Sequence, residues 1–194
     1  MNKKKACAQV IRVLSVPPVM ITLLILILYG YNPFIFRGWS DVFITILLLG
    51  MIPVLAYPFQ MLFPSLKKGE RSTQRKLAFI FTLFGYTIAL IWAFVSKASI
   101  ELQLICSTYC ISVVLLTICN KLIHVRASGH ACSFTGPLLF LIYFIDWKLC
   151  FPCVLIALLI VWSSLYLKRH TKKDLAMGSI VCILSFLISY LIIK

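Results

Sequence analysis

The chain has 194 residues, of which 62% are hydrophobic and only 12% are charged, and its mean hydropathy is +1.03. A soluble domain of this size cannot keep that composition in water, so soluble folds are excluded. The net charge of +14 would suit nucleic acid, but the basic residues flank apolar runs and form no nucleic-acid-binding motif. We therefore expect membrane lipids as partners, and no nucleic acid.

Seven apolar runs follow one another along the chain, separated by charged segments. A helix needs about 20 apolar residues to cross a bilayer core about 30 Å thick, and most of the runs approach that length. They are continuously apolar and do not alternate with polar residues, which favours helices over barrel strands. In chain order the runs are Val10–Tyr31, Asp41–Phe63, Leu77–Ser96, Ser99–Asn120, Ala131–Ile145, Leu149–Leu167 and Leu175–Ile193.

These runs predict an all-α integral membrane protein, a polytopic helical bundle of six to seven transmembrane helices in a single domain over 1–194. The fifth run is the weakest, because it is short and contains Gly136 and Pro137. Residues 1–63 would supply the N-terminal spans, and residues 64–178 would carry the candidate site. No small-residue cleavage site follows the first run, so we expect that run to be retained.

Lys and Arg are distributed unequally between the two membrane faces that this topology predicts. Fifteen of the 19 lie before or within the first run and in the loops after the second, fourth and sixth runs, which share one side. The positive-inside rule makes that side cytoplasmic. We expect a protein of the bacterial cytoplasmic membrane, with its N-terminus and its site on the cytoplasmic side. The four remaining cations are Arg37, Lys97, Lys148 and Lys194.

The first candidate site segment lies just before the fifth run, where Arg126 is followed by Ala, Ser128, Gly129 and His130. Free backbone N–H groups and the helix dipole make a helix N-terminus an anion-binding site. Gly129 allows close approach of the backbone, and His130 can donate a proton. The competing interpretation is that Ser128 is an N-cap and His130 an interfacial residue.

The second segment lies between the sixth and seventh runs, where His170 and Asp174 are four residues apart. If the last helix begins near His170, the two side chains share a helical face and the carboxylate can orient the ring. The alternative is a capping box with Thr171 as N-cap and Asp174 satisfying the first turn. Arg169 adds a cation here. A third basic segment, in the loop after the second run, contains Lys68, Arg71 and Arg75.

These residues resemble the three motifs of the type 2 phosphatidic acid phosphatases, a superfamily of membrane lipid phosphatases. Ser128, Gly129 and His130 match its second motif, with Ala127 where the family usually has Pro. The run from Ser163 to Asp174, followed by Gly178, is similar to the third, with Ser164 where the family usually has Arg. Lys68 and Arg75 match the first motif, and Arg71 with Arg75 resembles its variant in short bacterial members.

The resemblance implies a metal-independent phosphatase that acts on a lipid phosphate and needs no cofactor. In this mechanism His170 attacks phosphorus to form a phosphohistidine, Asp174 orients the His170 ring, and His130 protonates the leaving group. The substrate would be a phosphomonoester or pyrophosphate of a phosphatidate-like or prenyl lipid, and transfer to another acceptor is a close variant. The phosphate oxygens would be bound by Lys68, Arg71, Arg75, Arg126, Ser128, Gly129 and Arg169.

Two other classes of function remain open. Cys150 and Cys153 have the spacing of a redox pair, as in a membrane thiol oxidoreductase, although cysteines in apolar helices more often serve as packing residues. A non-catalytic lipid-binding or transport protein would use the basic face to hold headgroups. A zinc site at His124 and His130 is weaker, because no cysteine pair accompanies them.

Overall fold

The computed structural model describes residues 3–62 and 70–194, and this part of the chain is helical without a β-strand. Apolar sequence of this kind forms helices because, in lipid, only intrahelical hydrogen bonds satisfy the backbone. The α-helices are α1 Lys3–Leu14, α2 Pro17–Tyr31, α3 Trp39–Thr45, α4 Ile52–Leu62, α5 Glu70–Val95, α6 Ile100–Thr117, α7 Gly129–Phe144, α8 Cys150–Tyr166 and α9 Lys172–Ile193. Short π-helical segments, Ile46–Met51 and Ile118–Leu122, join α3 to α4 and extend α6.

The all-α architecture is confirmed for the described residues. In that part of the chain, five helical stretches are long and apolar enough to cross a membrane, or six if α1 and α2 form one broken span. Predicted and observed boundaries agree within a few residues for most of these helices. α5 is an exception, because it begins at Glu70, seven residues before the predicted Leu77. The five stretches in the described residues are Trp39–Gln60, Lys76–Val95, Ile100–Leu122, Trp147–Tyr166 and Lys172–Ile193.

The predicted first run, Val10–Tyr31, is divided between two helices. α1 ends at Leu14, α2 begins at Pro17, and the two helices are bent by 60°. Proline lacks a backbone N–H and its ring disfavours helical geometry in the preceding residue, so a helix can begin at Pro17 but cannot run through it undisturbed. Val16 is accordingly extended, with φ −68° and ψ 149°.

The predicted fifth span, Ala131–Ile145, corresponds to α7, which has 16 residues. At 1.5 Å per residue α7 is ~24 Å long, less than the ~30 Å of a bilayer core. It is therefore a short apolar helix rather than one of the full-length candidates for a span. Its side chains are mostly buried, because α2, α8 and α9 pack around it.

The core is built where α6, α7 and α9 pack together and α2 packs on α7. Leu24, Leu102 and Phe140 are buried in its centre. Large apolar side chains also cover the outside of the bundle; Leu158 on α8 is 58% exposed and Leu191 on α9 is 80% exposed. Such a surface suits lipid as the solvent.

The two ends of the bundle differ in character. One end of the bundle is formed by the α1–α2 junction, the loop before α7 and the loop before α9, and we call it the basic end. At the opposite end, Arg37 forms a bidentate ion pair with Asp41, at 2.8 and 2.9 Å, and donates to the Ser96 carbonyl. Hydrogen bonding to Asp41 raises the pKa of Arg37. Ser99 Oγ also donates to the Ile35 carbonyl at 2.6 Å, so this end is fixed by side-chain contacts between loops.

Candidate functional site

The first part of the site is the start of α7. Ser128 is its N-cap, with an extended backbone, and its Oγ accepts a hydrogen bond from Ala131 N at 3.2 Å. Ser128 is 4% exposed. The first amides of a helix have no intrahelical acceptor, so the N–H groups of Gly129 and His130 lie at the positive end of the α7 dipole. The structure thus gives Ser128 the capping role, and its contact with phosphate stays a prediction.

The second part is the start of α9. Thr171 is the N-cap, its side chain accepts from Asp174 N, and Asp174 Oδ2 accepts from Thr171 N, both at 3.2 Å. This reciprocal pair is the capping box that the sequence offered as the alternative for Asp174. His170 therefore precedes the helix, and the helical face that His170 and Asp174 were to share does not form. Asp174 still lies close enough to His170 to interact with its charge.

The starts of α7 and α9 are joined directly. Ser128 N donates to the Asp174 carbonyl at 2.9 Å. Gly178 allows this approach, because a Cβ at that position would lie 2.2 Å from the Ser128 carbonyl oxygen and 2.8 Å from Ala131 Cβ. Two parallel helices thus bring their N-termini, and hence the positive ends of their dipoles, to one place.

The two motif histidines meet at this junction. The His130 and His170 rings are stacked, with centroids 6.1 Å apart and planes 11° apart. Phe134, one turn further along α7, packs edge-on against His130 at 5.8 Å. Residues 40 positions apart in sequence therefore present two imidazoles side by side.

α1 supplies a contact to His130 that the sequence did not predict. Ser15 Oγ lies 3.3 Å from His130 Nε2, and Ser15 is 1% exposed. His130 lies before Ala131, outside the candidate spans, and burial, together with the charges of His170 and Arg12, lowers the pKa of His130 to about 4. Without an anion, His130 is thus neutral at pH 7. No local pattern around Ser15 could have revealed this contact, because it joins residues 115 positions apart.

Asn120 is a second positioning residue that the sequence did not reveal. Its side-chain amide donates to the Ala127 carbonyl at 3.0 Å and accepts from Ala127 N at 3.1 Å. These two hydrogen bonds fix the backbone immediately before Ser128. Arg126 is exposed in the same loop and lies near enough to Asp174 to interact with its charge.

The turn after α8 carries the remaining residues of the third motif. Arg169 is exposed, and its backbone N donates to the Ser164 carbonyl at 3.1 Å. Ser164, which stands where the phosphatase family that the motifs resemble usually has Arg, is 2% exposed and lies inside the bundle. Its neighbour Ser163 donates to the Ala8 carbonyl at 2.6 Å, which ties α1 to α8. Arg169 is thus an exposed cation of this turn, next to His170 in sequence, and Lys168 is exposed beside it.

The first motif is only partly described. Lys68 lies outside the described residues, and Arg71 and Arg75 belong to the first turns of α5. One turn beyond Arg75, Phe79 lies under the Lys121 ammonium, which is 5.2 Å from the ring centroid. Because Lys121 ends the α6 extension, this contact places the start of α5 at the basic end.

Cysteine and metal chemistry were weighed as alternatives. Cys150 and Cys153 are free thiols at the start of α8, at the opposite end from the histidines. Deeper in the bundle, Cys132 on α7 and Cys182 on α9 are neighbouring buried free cysteines. Over residues 3–62 and 70–194, no group of three or more His, Cys, Asp or Glu side chains is arranged to hold a metal ion.

Comparison with known proteins adds no further assignment. No protein-family model matches the chain, and neither a curated protein nor a solved structure matches it. What the site can do is therefore argued from its own residues. Two facing imidazoles, two helix N-termini and exposed cations are groups that can stabilise the charge of an anion and exchange protons with it.

Proposed function

We propose that this protein is a membrane-embedded, metal-independent lipid phosphatase that works through a phosphohistidine at His170. The observation that carries the proposal is the stacking of His130 and His170 where the N-termini of α7 and α9 converge. Imidazole is a phosphorus nucleophile as well as a general acid and base, so a pair of imidazoles can divide those roles.

The reaction has two balanced steps. A ring nitrogen of His170 attacks phosphorus, the bond from phosphorus to the lipid oxygen breaks, and His130 gives its proton to that oxygen. Water then attacks the phosphohistidine, His130 takes a proton from the water, and orthophosphate leaves with His170 restored. The α7 and α9 amides stabilise the charge on the equatorial oxygens, where preorganised donors lower the barrier most.

The depressed pKa of His130 fits this sequence of events. Before substrate binds, His130 is neutral, because it is buried and faces the charges of His170 and Arg12. A bound phosphate dianion places negative charge beside the ring, which favours the protonated form. His130 would therefore take up its proton on substrate binding and hold it ready for the leaving oxygen.

The basic end supplies further phosphate ligands, with Arg126 and Arg169 exposed beside the histidines. Arginine binds phosphate oxygens through two parallel N–H donors. A lipid substrate could keep its chains against the apolar outer surface while its phosphate reached this end. Lys68, Arg71 and Arg75 remain the proposed ligands from the first motif.

The test is release of orthophosphate from lipid monophosphates and pyrophosphates in detergent containing EDTA. We expect release by the native chain and loss of at least a hundredfold in His170→Ala and in His130→Ala, since general acid–base groups typically contribute about 10² to 10⁴ in rate. The matched control is His124→Asn. His124 is exposed, outside the histidine pair, and its φ of 58° is one that Asn tolerates.

Quenching with alkaline denaturant during turnover gives a second measurement, because phosphohistidine is stable in alkali and labile in acid. The native chain should retain ³²P in an acid-labile, alkali-stable form, and His170→Ala should not. No release from any lipid, or release that is indifferent to His170, would overturn the proposal and favour a headgroup-binding protein.

A further inference from the structure

α1 has a charged start and an apolar outer surface. Lys3–Lys5 are exposed, and the helix has no acidic residue in its first turn. Further along, Val10, Val13 and Leu14 are 57%, 64% and 57% exposed, whereas Ala8 is fully buried against the bundle. A helix with lysines at one end and an apolar outer surface fits the boundary between lipid headgroups and acyl chains.

The direction of α1 supports that location. The 60° bend at the α1–α2 junction turns α1 away from the path of α2, and the Ser163 hydroxyl holds its middle against the end of α8. α1 is therefore fixed at the basic end, where Lys172 and Lys173 at the start of α9 are also exposed. Clustered exposed cations are complementary to anionic headgroups and not to neutral ones.

The C-terminal end of α1 is joined to the histidine pair. Ser15 Oγ donates to the Arg12 carbonyl at 3.1 Å and lies 3.3 Å from His130 Nε2. When the hydroxyl hydrogen is on the Arg12 carbonyl, Ser15 accepts from the Nε2–H of His130, and this fixes which ring nitrogen is protonated. A displacement of α1 would therefore be transmitted to His130 through a buried hydrogen bond.

We propose that α1 is an interfacial helix that binds anionic lipid headgroups at the basic end, and that Ser15 couples this binding to the position of His130. Its consequence for catalysis rests on the proposed function. The binding and the coupling themselves are measurable without hydrolysis, so the two proposals can fail separately. Ser15 is here a positioning residue, because it acts through His130.

The first experiment measures the depth of α1 in nanodiscs of phosphatidylcholine with and without phosphatidylglycerol. A nitroxide is attached at Val10→Cys after the exposed Cys7 and Cys150 have been replaced by Ser, and its collisions with oxygen and with a water-soluble nickel chelate are compared. The control label is at Val154→Cys, on the exposed surface of α8. Phosphatidylglycerol should move the α1 label toward lipid and leave the control unchanged.

Removal of two lysines tests the charge complementarity. Each Lys near an anionic surface favours binding about fivefold. The double variant Lys3→Gln with Lys5→Gln should therefore weaken the binding of α1 to phosphatidylglycerol by roughly 30-fold. The matched control changes two exposed lysines of the opposite end, Lys97→Gln with Lys148→Gln. A label at position 10 that ignores phosphatidylglycerol, or an equal loss in both double variants, would overturn the lipid-binding proposal.

The second experiment observes the three imidazoles by ¹⁵N NMR of histidine-labelled protein in the same nanodiscs. Phosphatidylglycerol should shift the His130 signals and leave those of His124 unchanged. Ser15→Ala should abolish the His130 shift, and Ser15→Thr, which retains the hydroxyl, should restore it. A His130 shift that persists in Ser15→Ala would overturn the coupling, while thermal unfolding of both variants shows whether they fold.

Discussion

Gly178 lies at the closest approach of α9 to the residues before α7, where a Cβ would stand 2.2 Å from the Ser128 carbonyl oxygen. Gly178→Ala should therefore push the two helix starts apart and cost about 1 to 3 kcal/mol, as overpacking does. Thermal unfolding in detergent measures the loss. The matched control is Gly30→Ala in α2, where a Cβ meets nothing within 4 Å and Ala should be neutral or stabilising by up to about 1 kcal/mol. Equal midpoints for the two variants would contradict the packing argument.

Asp174 and Thr171 cap α9 reciprocally, so their substitutions should not be additive. Thr171→Ala alone should cost about 0.5 to 2 kcal/mol, the usual loss for an N-cap. Combined with Asp174→Ala it should show a coupling energy of about 0.5 to 3 kcal/mol in a double-mutant cycle of unfolding free energies. The control pairs Asp174→Ala with Ser99→Ala, the N-cap of α6 at the opposite end, and should be additive. Additivity in both cycles would mean that the Asp174 carboxylate acts elsewhere.

His130 should make the stability of the protein depend on pH. Its pKa is about 4 in the folded chain, below the ordinary value of 6.5, so folding favours the neutral ring. The resulting stabilisation is fully present above pH 6.5 and is lost as the pH falls from 6.5 through 4, by up to about 3 kcal/mol. In His130→Gln, the unfolding midpoint should vary less with pH across this window than in the native chain. In His124→Asn, its pH dependence should equal that of the native chain. If the unfolding midpoint of His130→Gln kept the native pH dependence, the titration would belong to another group.

At the scale of elements, the sequence predicted the helices that hydrophobicity alone determines. Continuous apolar runs gave α6, α8 and α9 nearly to their ends, because in lipid the helix is the only local solution. The bend at Pro17 and the start of α9 at Lys172 depend instead on single residues, one proline and one threonine cap. The π-helical segments had no signal in the sequence, since they add one residue to a turn without changing composition.

The site was predictable to a similar extent. The motif spacing identified His130 and His170, and alternation of the spans placed them at one end. The contacts of Ser15 and Asn120 could not be predicted, because they depend on how a bend and a loop pack after the bundle has formed. Asp174 is the opposite case. Its spacing was compatible both with a helical face shared with His170 and with a capping box, and the capping box is the one that forms.

The π-helical extension of α6 presents Asn120 to the loop before α7. Asn120→Ala removes two hydrogen bonds to Ala127, each with a net value of about 0.5 to 1.5 kcal/mol, and should loosen that loop. Hydrogen exchange should accelerate in residues 124–131 by about tenfold and should not change in α8. The control is Asn32→Ala, at the C-cap of α2 on the opposite side of the bundle. It should leave hydrogen exchange at residues 124–131 as it is in the native chain. Unchanged exchange in both variants would show that the loop holds its form without Asn120.

At the scale of the whole molecule, the two ends are stabilised by different means. The opposite end is held by the Arg37–Asp41 ion pair and by hydrogen bonds between loops. The basic end is held by backbone and capping contacts and by hydrogen bonds of the Ser15 and Asn120 side chains, and its cations are largely exposed.

The shortness of α2 and α7 has a consequence for the bilayer itself. α2 has 15 residues, ~22 Å, and it exposes Leu23, Leu26 and Ile27, so its outer surface is shorter than a ~30 Å hydrocarbon layer. Hydrophobic mismatch of this sign is relieved by local thinning, which would draw lipid phosphates inward toward the histidines. The protein should therefore unfold at a higher temperature in nanodiscs of dimyristoleoyl-phosphatidylcholine than of the longer dioleoyl lipid. A preference for the thicker bilayer would mean that α1 completes the span and that the bilayer around α2 is not thinned.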